Sequence, residues 1–335
     1  MSIIDYAIKG NVSSFFEKIN DISKKEKISK IFLIYHFFKC FFMIGSGYSD
    51  YLNYRLYLRS DNEIKKYATI KTQDYFYEIV SPTKYKTTFT IKANFLNKFK
   101  EYINRDSFYK GTIDELKSFL NSNEKIVYKP VNSLGGDRVK TMFTKDISDI
   151  NSFYDEIINN DIQLESYIIQ HPSINEFAPN SVNTIRVMTF GYNGKARILA
   201  AFLRVGNGIA DVDNFHKGGM GTKIDISSGR IVGNAFDKDN NEFTEHPLTH
   251  KKFDGFVIPN WDIVVNTCKE AALKDEHIHV VGWDVAVTKN GCTFVEGNRR
   301  PGFDLVQVAY DEGRKDIMQS CLDEINKVEG TNYKV

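Results

Sequence analysis

The sequence predicts a mixed α/β or α+β fold preceded by a helical N-terminal region. Between residues 3 and 66, apolar side chains recur at three- and four-residue spacing, which is the period of amphipathic helices. After Asn121, short apolar runs with strand-like composition alternate with helical patterns. Strands and helices interleaved along most of a chain are typical of a sheet covered by helices.

The individual elements follow in order along the chain. Gly45-Ser46-Gly47 interrupts the helical region, and residues 67–90 are polar, tyrosine-rich and predicted to be a connection. Helical spacing resumes at Asn94–Tyr102, and Thr112–Phe119 opens with a capping residue followed by acidic side chains. The predicted strands are Lys125–Lys129, Val139–Phe143, Gln163–Ile169, Thr184–Phe190, Ala196–Arg204, Gly221–Ile226, Val280–Val287 and Cys292–Glu296. The helices between them are predicted at Ile147–Ile158, Trp261–Lys274 and Arg314–Lys327.

Composition and charge indicate a globular protein with two domains, or one large domain and an appendage. The chain has 335 residues, of which 42% are hydrophobic, enough for a sizeable core. Its 44 basic and 43 acidic residues give a net charge of +1, without the basic surface that nucleic-acid binding requires. The four cysteines lie far apart, which predicts reduced core residues of a cytoplasmic protein and neither disulfides nor a zinc site. The N-terminus lacks the pattern of a secretion signal.

One segment, Ile31 to Gly45, is strongly apolar and aromatic. It contains His36 and Lys39 and is shorter than the ~20 apolar residues that cross a bilayer. A buried helix is therefore predicted. The alternative is peripheral contact with a membrane, since four lysines precede the segment: Lys24, Lys25, Lys27 and Lys30.

Three oxygen-bearing side chains lie on a predicted hairpin near the C-terminus. Glu296 and Asn298 are two residues apart on one strand and therefore share a face. A two-residue turn at Asn290-Gly291 would send Asp284 to the opposite face, whereas a three-residue loop with left-handed Gly291 and a bulge pairs Asp284 with Glu296. Buried carboxylates need a compensating cation, and such oxygen donors suit Mg²⁺. The alternative is an ordinary hairpin whose acidic residues face solvent.

A glycine loop follows the strand that ends at Lys129. Gly135 and Gly136 would let backbone N–H groups approach an anion, and Lys129 would add a full positive charge. No Gly-Lys-Ser/Thr follows, so the loop is not a Walker motif. The pattern favours a strand–loop–strand flap over phosphates, and the alternative is a plain hairpin turn.

Basic residues accumulate on the next two strands and the loop after them. Arg186 lies among apolar neighbours near the start of one strand and Arg204 ends the next, so each is predicted to face a charged partner. The loop Asp213–Gly219 contains His216 and Lys217. Taken singly, an arginine in such a position more often forms a structural ion pair.

The order of these features resembles that of the ATP-grasp superfamily, and most closely its sugar-transfer-associated family from bacterial polysaccharide loci. A more distant similarity is to ligases that add glutamate to a ribosomal protein. The resemblance covers about residues 85–325 and rests on Lys129 with its glycine loop, Glu165, Asn183–Arg186, Asp213–Gly219, Asp284 and Glu296–Asn298.

This resemblance implies two α/β subdomains that clamp ATP, a first one over residues 81–165 and a second over 166–335, after a helical region over 1–80. The implied nucleotide-binding residues are Lys98, Lys129, Gly135, Gly136, Glu165, Tyr167, Ile168 and Asn183. In this scheme the lysines contact phosphates, the Glu165 carboxylate contacts ribose, and Tyr167 and Ile168 border adenine. The implied ligands of two Mg²⁺ ions are Asp284, Glu296 and Asn298, and the implied catalytic residues are Arg186, Arg204, Lys217 and Arg300.

The chain departs from the glutamate ligases at Arg299-Arg300, where those ligases carry small residues. Two cations here suggest an anionic acceptor such as a uronic acid or a phosphorylated sugar, unless they pair with Asp304 or Asp311. Residues 1–80 also lack the domain that commonly precedes this fold, and they are expected to shape the acceptor site or to bind a partner.

Three functions are compatible with the resemblance. The first is an ATP- and Mg²⁺-dependent carboxylate–amine ligase that acts through an acyl phosphate on a sugar acid or saccharide precursor. The second is a phosphotransferase that stops after phosphoryl transfer. The third is a non-catalytic nucleotide-binding partner in a polysaccharide assembly complex. Product analysis separates the first two, because a ligase needs an amine and releases phosphate.

Overall fold

The computed structural model describes residues 12–131, 139–207, 218–237 and 241–335. The chain divides into two compact units. The helical unit comprises the chain up to Lys84 together with Arg300–Val335, and the mixed unit comprises Tyr85–Arg299. The sequence had suggested a boundary at residue 80 and had assigned the C-terminal residues to the second subdomain, whereas here they return to the helical unit.

The helical unit is built from short helices around an aromatic core. Its α-helices are α1 Val12–Glu26, α2 Lys30–Ile44, α3 Tyr48–Asn53, α4 Asp61–Ile64, α5 Ile70–Val80, and, after the return of the chain, α12 Asp304–Tyr310 and α13 Lys315–Glu329. Phe37 of α2 packs against Phe15 and Tyr51, with ring centroids 4.9 and 5.4 Å apart. As predicted, α2 is a helix with one buried face. None of the described helices is both long and apolar enough to span a bilayer.

The side chain of one glutamine forms hydrogen bonds between the returning C-terminal segment and the rest of this unit. The Gln307 side chain accepts from Ala68 N at 2.7 Å and donates to Ala68 O at 3.1 Å. Gly313 is required nearby, because a Cβ there would lie 2.2 Å from the backbone carbon of Lys66. The C-terminal residues therefore complete the helical unit.

The first sheet of the mixed unit has four antiparallel strands in the order β1-β4-β2-β3. These strands are β1 Ser107–Phe108, β2 Lys125–Pro130, β3 Lys140–Phe143 and β4 Ile162–Ser166. Helices α8 Ile113–Ser122 and α9 Ile150–Asn159 share a hydrophobic core with this sheet. Thr112 caps α8 in a capping box with Glu115, and Asp149 caps α9, so both helices begin where their sequences favour it.

The second sheet has seven antiparallel strands in the order β11-β10-β5-β6-β7-β8-β9. They are β5 Thr184–Tyr192, β6 Lys195–Val205, β7 Met220–Lys223, β8 Ala235–Phe236, β9 Glu242–Phe243, β10 Val280–Thr288 and β11 Gly291–Asn298. The remaining helices of the unit are α6 Thr87–Thr90, α7 Lys92–Lys98, α10 Pro172–Asn175 and α11 Trp261–Ala272. Trp283 is fully buried, stacks on Phe294 at 4.7 Å and donates to Thr189 Oγ1 at 2.9 Å. Its neighbour Asp284 consequently points to the other face.

Two segments differ from the sequence prediction. The expected connection over 67–90 contains helix α5, because Thr69 caps it and Phe76, Tyr77 and Val80 form a buried stripe. The strand predicted to run to Ile169 ends at Ser166, and an irregular segment follows.

Candidate active site

The two strands that carry the predicted oxygen ligands lie at one edge of the seven-stranded sheet. Asp284 of β10 lies directly opposite Glu296 of β11. Asn298 lies two residues beyond Glu296 on the same strand and shares its face. The expected common face of the three side chains is therefore confirmed.

The turn that produces this register differs from the expected one. Gly291 already pairs with Thr288, so the loop has two residues, and Gly291 has a φ of +154° instead of a left-handed helical value. The pairing shifts by one residue between Asp284 and Val285. A bulge within the strands, and not a three-residue loop, brings the two carboxylates together.

Asp284 is 3% exposed and is held by two arginines from the neighbouring strands. Arg186 of β5 binds it through Nε and through Nη2, which lies 2.9 Å from Oδ2. Arg204 of β6 donates from Nη1 to the same oxygen at 2.9 Å. Burial alone would raise the pKa of Asp284, but Arg186 and then Arg204 lower it below its usual range. Both arginines thus face the charged partner that the sequence predicted.

Glu296 and Asn298 remain accessible beside this buried ion pair. Asn298 donates from Nδ2 to Glu296 Oε1 at 3.1 Å, so its amide oxygen takes no part in that bond. Burial raises the pKa of Glu296, and the negative charge of Asp284 raises it further. A carboxylate crowded by a second one is stabilised by a cation, and carboxylate and amide oxygens suit Mg²⁺.

The fit to a metal rests mainly on Glu296 and Asn298. Within the described parts of the chain, no three His, Cys, Asp or Glu side chains cluster as metal ligands would. Asp284 is already bound by its arginines and would be a third, buried ligand. The donor set thus fits Mg²⁺ at this edge, and the number of ions stays a prediction.

Two lysines form the cationic part of the site. Lys129 of β2 places Nζ 2.5 Å from Glu165 Oε2. Lys92, the first residue of α7, donates to Pro130 O at 2.9 Å. Burial and then the charge of Lys129 lower the pKa of Lys92, whereas Glu165 and Glu296 raise it. The bond to Pro130 places Lys92 beside Lys129 at the end of β2.

Residues 84–322, more than two thirds of the chain, match the family described as sugar-transfer associated ATP-grasp. The chain belongs to the sugar-transfer-associated ATP-grasp family. The expected fold and family are thereby confirmed, since the match spans both sheets. No curated protein matches the chain.

Solved ATP-grasp structures show low identity to this family member. The ligase PsnB, complexed with a phosphomimetic variant of its minimal precursor, Mg and ADP, is 12% identical with a TM-score of 0.45, over 73% of this chain and 62% of PsnB. D-alanyl-alanine synthetase A from Vibrio cholerae is 11% identical with a TM-score of 0.40, over 72% of this chain and 66% of that one. The D-alanine–D-alanine ligase of Bacillus anthracis complexed with ATP is 14% identical with a TM-score of 0.38, over 72% of this chain and 67% of that one. The chain thus spans about three fifths of the length of PsnB.

Lys98, the other lysine assigned to phosphates in this ATP-grasp protein, is engaged elsewhere. Its Nζ lies 2.7 Å from Asp275 Oδ2, and Asp275 is only 8% exposed. The structure therefore places Lys92, not Lys98, beside Lys129. A signal was present in the sequence, because a lysine in the first turn of a helix opposes the helix dipole and needs another reason to be there.

Glu165 also departs from its expected role. It is 4% exposed, and Oε2 accepts from Arg105 Nε at 2.6 Å as well as from Lys129, while Oε1 accepts from Gln163 at 2.9 Å. Burial opposes its ionisation, yet Lys129 and Arg105 lower the pKa of Glu165 to about 2. Both oxygens are engaged within the protein, which does not fit a contact with ribose. The carboxylate instead orients Lys129.

The segment that follows β4 contacts the first sheet. Tyr167 N donates to Lys125 O at 3.0 Å, and Lys125 Nζ lies 3.7 Å above the Tyr167 ring. Ile168 is half-buried. Contact of these two residues with adenine stays a prediction.

Asn183 has a structural position instead of the expected nucleotide contact. It is 1% exposed, its amide donates to Ile174 O at 3.1 Å and Ala178 O at 3.3 Å, and its oxygen accepts from Gly206 N at 3.3 Å. The side chain thus ties a buried loop to the start of β5. Nothing in its sequence neighbourhood distinguished this from a ligand-binding role.

Of the remaining predicted residues, one bonds within the helical unit and three lie outside the described residues. Arg300 belongs to the helical unit, where it pairs with Glu78 and donates to Thr83 Oγ1 at 3.0 Å. Its partners are therefore neither the expected substrate nor the acidic residues farther along the chain. Gly135, Gly136 and Lys217 lie outside the described residues.

Proposed function

We propose that this ATP-grasp protein is an ATP- and Mg²⁺-dependent carboxylate–amine ligase. One observation carries the proposal: the carboxylates of Asp284 and Glu296 lie opposite each other on β10 and β11, and two arginines bind Asp284, so oxygen ligands and cations share one site. Phosphoryl transfer needs such an arrangement, because it proceeds mainly by positioning and charge neutralisation.

Each part of the site has a defined task in the proposed reaction. Lys92 and Lys129 neutralise the phosphate oxygens of ATP. Glu296, Asn298 and Asp284 would hold Mg²⁺, which would neutralise charge on the triphosphate when bound. Arg186 and Arg204 hold Asp284 fixed and add positive charge where the phosphoryl group transfers.

The proposed chemistry has two steps. A substrate carboxylate oxygen attacks the γ-phosphorus of ATP, and the bond to ADP breaks to give an acyl phosphate. An amine nitrogen then attacks the acyl carbon and loses a proton, while inorganic phosphate leaves with its electron pair. Water must be excluded during the second step, since the acyl phosphate would otherwise hydrolyse.

The substrate class is proposed from the family alone. The sugar-transfer association of the family favours a sugar acid or saccharide precursor as the carboxylate, in the synthesis of a bacterial surface polysaccharide. Arg300 no longer supports this choice, because it pairs with Glu78.

The direct test incubates the protein with ATP, Mg²⁺, a panel of uronic acids and a panel of amino donors. We expect free phosphate and the mass of an amide, both dependent on the amine and both absent in Glu296→Gln. A matched control is Glu176→Gln, since Glu176 is 59% exposed and pairs with Lys251 in the same unit. Phosphate retained on the sugar would instead indicate a phosphotransferase. Absence of ATP binding by calorimetry would indicate a non-catalytic protein.

We also infer that the protein works in the cytoplasm, with peripheral contact to the inner membrane surface through α2. The outer face of this helix exposes Ile31 at 82%, Tyr35 at 66% and Phe42 at 71%. These positions recur at helical spacing and form one apolar stripe. Exposed lysines precede and begin the helix, namely Lys24, Lys25, Lys27 and Lys30. An apolar stripe with adjacent lysines suits an anionic lipid surface.

Sedimentation with vesicles tests this contact. Vesicles that contain phosphatidylglycerol should retain the protein at low salt, and those of phosphatidylcholine alone should not. Tyr35→Ser combined with Phe42→Ser should abolish retention. Equal retention of that variant, or self-association without lipid that the same changes remove, would overturn the inference.

A further inference from the structure

A short strap over residues 103–106 covers the free edge of β11. This strand is the last in the seven-stranded sheet, and within the described part of the chain no strand pairs with its outer side. Asn104 N donates to Thr293 Oγ1 at 2.9 Å, and Asn104 Nδ2 donates to Cys292 O at 3.2 Å. The strap is therefore fastened to β11 before it enters β1 of the other sheet.

Arg105, the next residue of the strap, bonds to both sheets at once. Its side chain is 3% exposed. Nη1 donates to Phe294 O, Nη2 donates to Val295 O at 3.1 Å, and Nε donates to Glu165 Oε2 at 2.6 Å. One planar guanidinium thus fixes the backbone of β11 and a carboxylate of β4 in a single geometry.

Both ends of this connection lead to the site. Glu165 Oε2, which accepts from Arg105, also accepts from Lys129 Nζ at 2.5 Å. Val295 is the extra residue of the bulge, because Phe294 pairs with Val285 whereas Glu296 pairs with Asp284. Arg105 therefore holds the carbonyl group that immediately precedes Glu296.

We propose that Arg105 is a positioning residue that couples the phosphate-binding lysine to the metal-binding acids. It touches no substrate; it fixes the distance between Lys129 and Glu296 through Glu165 and the bulge. The binding of nucleotide and the binding of Mg²⁺ then assist each other, because each orders one end of the same connection. This inference rests on the proposed function, since it requires that both ligands bind here.

Calorimetry with ADP, in the presence and absence of Mg²⁺, tests the coupling. Arg105→Lys keeps the positive charge near Glu165 but lacks the planar set of donors that reaches the two carbonyl groups. We expect the factor by which Mg²⁺ tightens ADP binding to fall about tenfold in this variant, the usual scale of coupling between two sites. Asn104→Ala is the matched control, because it loosens the same strap on the same strand without touching Glu165 or the bulge.

The outcomes separate this inference from the proposed function. In one outcome, Arg105→Lys and Asn104→Ala lower the melting temperature equally while Mg²⁺ tightens ADP binding by the same factor in both as in the wild type. In that case Arg105 is only structural and the coupling is refuted. If the wild type binds no ADP with or without Mg²⁺, the proposed function fails and the coupling fails with it.

A second measurement serves if Arg105→Lys does not fold. Addition of ADP without Mg²⁺ should slow amide hydrogen exchange around Val295 in the wild type. Glu165→Gln leaves the Arg105–carbonyl bonds in place but weakens the link to Lys129, and there the protection should disappear. Equal protection in the two proteins would overturn the proposal.

Discussion

Replacing Glu165 by glutamine tests the buried ion cluster that orients Lys129. The glutamine keeps the shape of the side chain but removes the charge that compensates Lys129 and Arg105. In the folded protein those two cations lower the pKa of Glu165 from 4.5 to about 2. Because the unfolded chain binds this proton more readily than the folded one, ionisation of Glu165 stabilises the fold above the unfolded pKa.

The magnitude follows from that shift. A pKa difference of about 2.5 units corresponds to about 3 kcal/mol of unfolding free energy, present in full at pH 7. This stability is lost as the pH falls through 4.5 toward 2, and about half of it remains at pH 3. The difference between wild type and Glu165→Gln should therefore shrink by about half between pH 7 and pH 3.

Urea unfolding followed by tryptophan fluorescence measures this difference. The two tryptophans, Trp261 and Trp283, both lie in the mixed unit and are buried there. Groups that titrate alike in both proteins cancel in the comparison. Glu176→Gln should show a small difference at both pH values, since exposed ion pairs contribute little. The reasoning would be refuted if the difference in unfolding free energy between wild type and Glu165→Gln were as large at pH 3 as at pH 7, or larger.

Three further outcomes are expected. Lys92→Met should weaken ATP binding in calorimetry by about tenfold or more, because a charge-assisted contact to phosphate is lost. Lys98→Met should change the affinity little. If Lys98→Met weakened ATP binding more than Lys92→Met, the sequence-based assignment of Lys98 would be correct. Gly297→Ala should lower the free energy of unfolding by about 1–3 kcal/mol, because overpacking is destabilising and the new Cβ would lie 2.6 Å from a phenylalanine ring atom; an unchanged urea midpoint would contradict this. Asp284→Ala should lose phosphate release and also about 3–5 kcal/mol of stability, because it removes the buried carboxylate that two half-buried arginines bind. Glu296→Ala should lose phosphate release and keep a near-wild-type melting temperature, since that side chain is accessible. A wild-type melting curve for Asp284→Ala would show that the arginine pairs are not stabilising.

Local patterns in the sequence predicted the elements that depend on neighbouring residues. Most strands and helices of the mixed unit lie close to their predicted ranges, because period and capping residues are local signals. The common face of Glu296 and Asn298 follows from alternation alone, and the partnered arginines follow from charge among apolar neighbours. These features needed no knowledge of the tertiary fold.

Contacts between distant segments could not be predicted in this way. The position of the bulge opposite Asp284 depends on how β10 and β11 pack, and the turn residues do not encode it. The choice between Lys92 and Lys98 depends on Asp275, which lies far along the chain and pairs with Lys98. Likewise, the partners of Glu165 come from a strap and a strand that sequence spacing does not bring together.

The return of the C-terminal residues to the helical unit makes the mixed unit an insertion within one discontinuous domain. A fragment that begins at Tyr85 would keep both sheets but would leave α12 and α13 without the helices they pack against. Gln307, buried and bonded to Ala68, would lose its backbone partner. Limited proteolysis should therefore release a stable core only when it cuts twice, near Lys84 and near Arg300, and a single cut at either place should leave the two pieces associated.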